Sequence, residues 1–348
     1  MAESAPTRLF LTGVSGFIGS QLARLALQRG FEVTASSAVN NDAERERLAA
    51  LERSGIRVLI ASLEDGRELE QALRGQHAVI HLAAAQHEVH APESHFHRVN
   101  VEGTRRLLAL AAGAGVKRFV HGSTIGVYGA AREGELDETS RLAPDNPYGR
   151  TKAEAESLVR QFSPLETCIV RISETYGPGD LRLLKLFRAI ERGRYLTLGP
   201  GTNEHQLIYV DDLAEGLLRA VRAPAAAGQT VVLAGEERLT TNQMVSAISL
   251  ALGRPTHPRH VPLWPFAVAA AVMETTLTPL GIRPPLHRRR LDFFRKSFRF
   301  STRRAHELLD FRPAVSFSEG ARRTAAWYRA NGLLPAGQAS AGARLAKT

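Results

Sequence analysis

A tyrosine and a lysine four residues apart, Tyr148 and Lys152, are the pair in this chain best suited to proton transfer. On a helix, side chains at this spacing share one face, so we expect both to point into the same cleft. A phenol with a pKa of about 10 is a weak base at neutral pH, and a nearby ammonium group favours its phenolate form. The pair therefore predicts a tyrosine that exchanges a proton with an alcohol or ketone oxygen as hydride leaves or arrives.

Three glycines, Gly13, Gly16 and Gly19, follow an apolar run at 8–12, and the last of them lies in the first turn of a helical pattern over 18–28. Gly13 permits a tight turn, Gly16 lets backbone approach a pyrophosphate, and Gly19 allows a helix to pack closely on a strand. The start of the helix offers free N–H groups and a positive dipole end to an anion. The loop predicts a dinucleotide site, and a purely structural turn is the alternative.

Short apolar runs alternate with helical patterns through the first half of the chain, as in parallel strands joined by crossover helices. We therefore predict an α/β fold, with a Rossmann-type, doubly wound parallel sheet and a smaller C-terminal substrate lobe. The predicted NAD(P)-binding domain covers 7–178, and a strand and helix at 206–222 return to it. The lobe takes 179–205 and 223–334, and a tail rich in Ala, Gly and Ser at 335–348 is predicted to be disordered.

Composition indicates a folded protein with two units, because 348 residues exceed the usual size of one core and 44% of them are apolar. The single cysteine, Cys168, excludes a disulfide framework, and the absence of a secretory leader predicts the cytoplasm. A net charge of +10 fits an anionic ligand or surface, but no nucleic-acid module accompanies it, so we expect no nucleic-acid partner. A basic run is either a solvated face or a site for phosphates or anionic lipid, and its cations are Arg283, Arg288, Arg289, Arg290, Arg295, Lys296, Arg299, Arg303 and Arg304.

Two other segments suggest a metal site and a membrane helix. His87, His90, His95 and His97 lack cysteines or regular ligand spacing around them, so we predict no metal and a loop at the cleft mouth. Residues 263–282 are apolar over about the length of a membrane span, but Glu274 and two prolines disfavour crossing. The prediction is a helix lining the substrate lobe, and the alternative is a surface-lying helix in peripheral contact with a membrane.

The glycine loop and several later motifs resemble the extended short-chain dehydrogenase/reductase family, also described as NAD-dependent epimerases/dehydratases. This family contains sugar-nucleotide epimerases and dehydratases as well as sterol-type dehydrogenases. The resemblance runs from residue 9 to about 328, and implies a Rossmann domain, NAD or NADP as cofactor, and a homodimer. The matching segments are 12–19, 81–84, Asn100, 120–129, Tyr148 with Lys152, and 171–180.

The resemblance also implies which residues form the site. When the chain is aligned on 127–129, Thr124 matches a catalytic Ser/Thr that hydrogen-bonds the substrate oxygen. Thr124, Tyr148 and Lys152 are therefore the predicted catalytic set. The alternative is that the hydroxyls of Ser123 and Thr124 only stabilise the loop. The implied substrate-binding residues are Gln86, Thr124, Glu174 and His205. The implied cofactor-binding residues are Gly13, Gly16, Phe17, Ile18, Gly19, Ser37, Leu63, Leu82, Ala83, Ala84, Asn100, Ser123, Tyr148 and Lys152.

The motifs leave NAD and NADP undistinguished. Ser37 stands at the end of the second strand, where an acidic residue would favour NAD by binding the ribose hydroxyls. No arginine follows it immediately to bind a 2′-phosphate, although Arg45 and Arg47 lie close in the sequence. Ser62 stands before Leu63 where the family usually has an aspartate, so adenine recognition is expected to differ from the common pattern.

Two departures from the family pattern bear on the substrate. Glu174 replaces an asparagine, and His205 lies near the place of an arginine that grips a diphosphate; a carboxylate would repel that group. The apolar helix with Trp264 and Phe266 resembles the lobe of sterol-type dehydrogenases. We therefore predict an oxidoreductase acting on a secondary alcohol or ketone of a lipophilic, sterol-like small molecule. A nucleotide-sugar epimerase or dehydratase, and a non-catalytic protein that senses NAD(P), are the alternatives.

Overall fold

The computed structural model describes residues 7–86, 91–129, 134–254, 259–277, 291, 293–294 and 296–335. Its strands are β1 (Arg8–Thr12), β2 (Glu32–Ser37), β3 (Arg57–Ile60), β4 (Ala78–His81), β5 (Arg118–Thr124), β6 (Glu166–Ile172), β7 (Thr175–Tyr176), β8 (Leu196–Leu198), β9 (Glu204–His205), β10 (Ile208–Tyr209), β11 (Gln229–Leu233), β12 (Leu239–Thr240) and β13 (Arg259–Val261). Seven of them form one parallel sheet in the order β3-β2-β1-β4-β5-β6-β11. This order confirms the predicted doubly wound fold.

Helices cover both faces of this sheet and build the second lobe. They are α1 (Phe17–Gln28), α2 (Asp42–Arg53), α3 (Gly66–Leu73), α4 (Glu93–His97), α5 (Gly103–Gly113), α6 (Pro147–Gln161), α7 (Leu184–Glu191), α8 (Val210–Arg222), α9 (Thr241–Leu252), α10 (Trp264–Leu277), α11 (Arg303–Leu309) and α12 (Phe317–Ala330). A π-helical turn, Arg98–Glu102, joins α4 to α5.

The central sheet is buried on both faces, which explains why its strands are nearly continuous apolar runs. Alternate side chains of β1 point to opposite layers. Leu9 and Leu11 pack in the cluster that contains α1 and α8 residues, whereas Phe10 packs in the cluster formed by α3, α5 and α6. A third cluster holds the lobe together between α7, α9 and α12.

Two segments lie differently from the predicted domain boundaries. Strand β11 (Gln229–Leu233), which those boundaries assign to the substrate lobe, pairs with β6 and forms an edge of the main sheet. Helix α8 packs against α1, as expected for a segment that returns to the first domain, but β10 pairs with β7 outside the seven-stranded sheet. The chain therefore crosses between the two units more often than 206–222 alone implies.

The strand order places a crevice where the cofactor loop is expected. From β1 the chain crosses to β2 on one side, and from β4 it crosses to β5 on the other, so β1 and β4 are neighbours whose connections diverge. Ligands of open α/β sheets bind at the carboxyl ends of strands at such a switch point. The loops after β1 and β4 meet there, at residues 13 and 83.

Candidate active site

A cleft of about 1300 Å³ runs along the carboxyl ends of the strands and into the second lobe. Most of the predicted site residues line it. They are Gly13, Gly16, Phe17, Ile18, Gly19, Ser37, Leu63, Leu82, Ala83, Ala84, Gln86, Ser123, Thr124, Tyr148, Glu174 and His205. Asn100 and Lys152 are not among the lining residues, and both are buried below the cleft.

The glycine loop has the shape of a pyrophosphate cradle, because side chains would fill it. A Cβ at Gly13 would lie 2.7 Å from the backbone nitrogen of Ala83, and the φ of +76° there is one that glycine adopts most easily. A Cβ at Gly19 would overlap the carbonyl oxygen of Gly13. Helix α1 begins after Gly16 with no side-chain cap and no acidic residue in its first turn. Its first N–H groups are therefore suited to an anionic ligand, as a dinucleotide requires.

A buried histidine fixes the loop after β4. The Thr104 hydroxyl donates to the Asn100 carbonyl oxygen at 2.7 Å, so it accepts from His81 Nε2 at 3.0 Å, which places the imidazole proton on Nε2. His81 Nδ1 then accepts from Thr12 Oγ1 at 2.7 Å, and that oxygen accepts from the N–H groups of residues 82 and 83, each at 3.2 Å. Burial lowers the pKa of His81 to about 3, so the ring stays neutral while it holds this wall of the cleft.

Asn100 positions the site from below instead of lining it. Its side-chain oxygen accepts from the Ala85 N–H at 2.8 Å, and its amide nitrogen donates to the Ala85 carbonyl and to Thr151 Oγ1, each at 3.0 Å. The asparagine lies in the π-helical turn, a geometry often found at functional sites. It ties the loop after β4 to helix α6, which carries the tyrosine.

Helix α6 begins so as to bring Tyr148 against the loop after β5. Asn146 caps the helix by accepting from the Gly149 N–H at 3.0 Å, and Pro147 occupies the first helical position. A Cβ at Gly149 would lie 2.7 Å from the Gly126 carbonyl oxygen, so the glycine allows the close approach. Tyr148 and Thr124 both line the cleft as a result. This shared position is the arrangement that proton transfer to a substrate oxygen needs.

The local charges act on Tyr148 in a different way from the sequence-based prediction. Burial raises the pKa of Tyr148 to about 12, while the Thr124 hydroxyl and then the Arg182 guanidinium lower it. Lys152 does not contribute to that shift, because its Nζ lies 3.1 Å from His121 Nε2 on β5. The prediction that Lys152 points into the cleft beside Tyr148 is therefore wrong for this structure, in which the lysine contacts His121 and does not line the cleft. Burial also lowers the pKa of Lys152 to about 7, against the opposing effect of Glu156.

A buried ion pair lies beneath the catalytic residues, in the floor of the cleft, and the sequence analysis did not predict it. Glu156, one turn beyond Lys152 on α6, forms two hydrogen bonds with Arg171 of β6, at 3.0 and 2.8 Å. Ser123 donates to the same carboxylate at 2.6 Å, so its hydroxyl is engaged in the floor although the residue lines the cleft. Tyr148, Lys152 and Glu156 repeat at a spacing of four, and this repeat is the pattern that could have singled out Glu156.

The substrate end of the cleft is formed by charged side chains from several elements. His205 Nε2 lies 3.1 Å from the Asn203 amide nitrogen and 3.0 Å from Thr241 Oγ1, whose hydroxyl donates to Asn203 Oδ1 at 2.8 Å. The other ring nitrogen, Nδ1, lies 3.7 Å from the Glu174 carboxylate, which is 43% exposed. The two residues that the sequence assigns to the substrate are thus brought together.

Four further charged residues line the same end, and none was predicted as a substrate-binding residue. Arg182 pairs with the buried Asp180 at 3.0 Å and also donates to the Thr175 carbonyl oxygen. Lys296 Nζ lies 3.7 Å from the Asp145 carboxylate. With Glu174 included, three carboxylates face two cations here among the described residues. From the sequence, Lys296 was noted only as part of the basic run and Asp180 only as the end of the segment 171–180.

The predictions of no metal site and no membrane-spanning helix can be compared with the structure only for the residues that it describes. No group of three potential metal ligands occurs within the described ranges, but His87 and His90 lie outside them, so the prediction of no metal stays a prediction. Among the residues that the structure describes, no helix has both the length and the apolar content to cross a bilayer. Within the segment at 263–282, residues Trp264–Leu277 form α10, and residues 278–282 lie outside the described residues. Residues 283, 288–290, 295 and 336–348, on which other predictions were made, also lie outside them.

The sequence of this chain is similar to those of known proteins over most of its length. The NAD dependent epimerase/dehydratase family matches residues 9–235. A dTDP-glucose 4,6-dehydratase of Streptomyces griseus is 31% identical over 352 residues, covering 95% of this chain and 98% of that protein. A 2-alkyl-3-oxoalkanoate reductase of Stenotrophomonas maltophilia is 28% identical over 330 residues, covering 91% and 98%. A 3beta-hydroxysteroid-dehydrogenase/decarboxylase isoform 2 of Arabidopsis thaliana is 29% identical over 294 residues, covering 78% of this chain and 52% of that protein.

Solved structures share the fold. The dTDP-glucose 4,6-dehydratase of Streptomyces venezuelae, a double mutant with NAD and DAU bound, superposes with a TM-score of 0.74 at 28% identity. The match covers 93% of this chain and 98% of that one. These similarities confirm the predicted family, and the steroid dehydrogenase supports part of the predicted likeness of the C-terminal lobe.

Proposed function

Because this chain belongs to the NAD dependent epimerase/dehydratase family, and is thereby an enzyme of the extended short-chain dehydrogenase/reductase type, we propose a narrower activity for it. It transfers hydride at a secondary alcohol or ketone carbon of a lipophilic molecule that carries no diphosphate, with a nicotinamide dinucleotide in the glycine-loop end of the cleft. The observation that carries the proposal is the position of the Tyr148 and Thr124 hydroxyls in the same cleft as that loop.

The chain's own residues supply the proton chemistry. A bound nicotinamide ring supplies or takes up the hydride. Thr124 hydrogen-bonds the substrate oxygen, and Tyr148 gives that oxygen a proton in reduction or removes one in oxidation. We propose that Lys152 completes the catalytic set by turning from His121 towards the cleft, where its charge would lower the pKa of Tyr148.

The charges at the substrate end support a substrate without a diphosphate group. Recognition of a diphosphate calls for concentrated positive charge, and Arg and Lys side chains usually provide it. Here Arg182 and Lys296 each lie beside a carboxylate, Asp180 and Asp145, and Glu174 adds another negative charge. Phe293 and Phe298 contribute apolar surface at the same end. The name of the 2-alkyl-3-oxoalkanoate reductase, a relative along nearly its whole length, agrees with a lipophilic ketone.

A nucleotide-sugar epimerase or dehydratase is the second candidate. It is favoured by the dTDP-glucose 4,6-dehydratases, one of which is similar over 95% of this chain while another shares the fold with NAD bound. An epimerase or dehydratase would convert UDP-glucose or dTDP-glucose without net change in the nicotinamide absorbance. A reductase would consume reduced cofactor in proportion to its ketone.

The test is an absorbance assay with NADH and NADPH against a 2-alkyl-3-oxoalkanoate, a 3-ketosteroid, UDP-glucose and dTDP-glucose, with product analysis by mass spectrometry. We expect turnover of a lipophilic ketone and a fall in kcat of about 10²–10⁴-fold in Tyr148→Phe. Tyr195→Phe, which removes a hydroxyl from a residue that does not line the cleft, is the matched control. Full activity of Tyr148→Phe would refute the proposed role, and conversion of a sugar nucleotide alone would favour the second candidate.

We also propose a homodimer that contacts a membrane surface through α10 and works in the cytoplasm. Helix α10 exposes Trp264, Val268 and Val272 at intervals of four residues, and this apolar stripe supports the surface-lying alternative. Light scattering after size-exclusion chromatography measures the assembly, and flotation with anionic vesicles measures the contact. Trp264→Ser should reduce flotation if the stripe is the contact surface.

A further inference from the structure

The end of β2 carries no carboxylate where one would accept hydrogen bonds from the ribose hydroxyls of NAD. Ser37 occupies this place and is buried. Its hydroxyl donates to Ser15 Oγ at 2.7 Å, and the Ser15 N–H donates to Ser37 Oγ at 3.3 Å. The end of β2 therefore carries no charge and presents the Ser37 hydroxyl, beside that of Ser15, to this corner of the cleft.

An arginine projects over the same corner from the next helix. The guanidinium of Arg47 on α2 donates to the Ser15 carbonyl oxygen, and the residue lines the cleft. Within the described ranges Arg47 forms no ion pair and no second hydrogen bond, so most of its N–H groups remain available to a ligand. Arg45, two residues earlier, is exposed and does not line the cleft.

The carboxylates nearest to this corner are already engaged. Glu44 lines the cleft, but it accepts hydrogen bonds from the Asn40 backbone and side-chain nitrogens at 2.8 and 3.2 Å and from Asn41 at 3.1 Å. Glu64 lies 3.3 Å from Arg98. Neither carboxylate is paired with Arg47, whose positive charge is left to face the cleft.

We propose that this cleft binds NADP in preference to NAD, with Arg47 holding the 2′-phosphate above the Ser15 and Ser37 hydroxyls. A phosphate monoester carries about two negative charges and accepts paired hydrogen bonds from a guanidinium, which the ribose hydroxyl of NAD cannot do. The inference rests on the nicotinamide site of the proposed function, and it does not depend on the proposed substrate.

Calorimetric titration of the purified chain with NADP and NAD tests the preference without any substrate. We expect a Kd for NADP at least about tenfold lower than for NAD. Arg47→Ala should weaken NADP binding about tenfold and change NAD binding less than about twofold, while the matched control Arg45→Ala should change neither. Ser37→Asp should reverse the preference, because its carboxylate repels the 2′-phosphate and accepts from the ribose hydroxyls.

The outcomes separate this inference from the proposed function. Equal or tighter binding of NAD in the unmodified protein, or the same loss in Arg45→Ala as in Arg47→Ala, would overturn the NADP preference while leaving hydride transfer intact. NADP binding that depends on Arg47, without reduction of any ketone, would uphold the inference and refute the substrate. Failure of both nucleotides to bind would overturn both. Adenosine 2′,5′-bisphosphate, which carries the same 2′-phosphate, should compete more strongly than 5′-AMP.

Discussion

The two ends of the cleft differ in the groups that form their surfaces. At the cofactor end, backbone atoms and glycines form the surface, and the polar side chains beneath it, such as His81 and Asn100, are buried with their hydrogen bonds made. At the substrate end, charged side chains from separate elements form the surface, and Glu174 is 43% exposed. One end is determined by the fold, and the other is formed by side chains that can change without disturbing it.

This difference explains why family membership settles the cofactor class more easily than the substrate. A change in the glycine loop must disturb backbone packing, whereas a change at Glu174 or Lys296 alters charge at a surface. Function varies on a common fold through such positions. The comparison therefore predicts large stability effects below the cofactor end and small binding effects at the substrate end.

The largest expected effect is loss of the buried ion pair below the catalytic residues. Glu156→Gln leaves the Arg171 charge without its carboxylate in a site where both side chains are buried. We expect the free energy of unfolding, measured by urea denaturation, to fall by about 3–5 kcal/mol. Glu154→Gln, on the same helix but 51% exposed, should cost less than about 1 kcal/mol. Equal losses in the two variants would show that the floor of the cleft is not held by this pair.

The next largest effect is expected at Gly13, and comparison with Gly30 distinguishes the cost of a steric clash from the cost of a strained backbone. Gly13 and Gly30 have nearly the same φ, +76° and +78°, but a Cβ would clash with Ala83 at Gly13 and meet nothing within 4 Å at Gly30. Gly30→Ala should cost about 1 kcal/mol in unfolding free energy. Gly13→Ala should cost roughly 2–3 kcal/mol and abolish nucleotide binding, measured by calorimetry. Retained binding in Gly13→Ala would mean that the loop is less constrained than its geometry indicates.

The sequence was sufficient for the parts of the site that depend on local pattern. The strand Arg8–Thr12, the glycines after it and a helix that carries Tyr148 and Lys152 each follow from neighbours in the chain, and the structure places the predicted loops at one cleft. The same holds for the fold class, because alternating strands and helices constrain the topology strongly.

The parts that failed depend on residues far apart in sequence. The direction of Lys152 is set by His121 on another element, and the partner of Glu156 is Arg171 on a strand. Strand β11 has an ordinary apolar run, but its pairing with β6 is a long-range choice that no local pattern reports. Charged residues at the substrate end, such as Arg182, likewise acquire their position only from the tertiary fold.

A smaller effect follows from the buried lysine. Burial lowers the pKa of Lys152 from 10.5 to about 7, so between these values the unfolded chain binds more protons than the folded one. Stability of the unmodified protein therefore rises with pH across this window, and the full cost of charging the lysine is present below pH 7. Lys152→Met should be more stable by about 1–2 kcal/mol at pH 6.5, with a difference that shrinks towards pH 10. The exposed control Lys117→Met should show no such pH dependence.

The smallest effect lies at the substrate end, where one charge is removed from a partly exposed position. Glu174→Gln takes away the carboxylate that faces His205 and the cleft, so a diphosphate should be repelled less. We expect UDP, titrated by calorimetry, to bind about threefold more tightly, with no change in unfolding free energy beyond about 0.5 kcal/mol. Glu166→Gln, at the other end of strand β6, removes the same charge far from the cleft and should not change UDP binding. If both variants bind UDP alike, the charges at this end do not select against diphosphates, and the nucleotide-sugar alternative gains support.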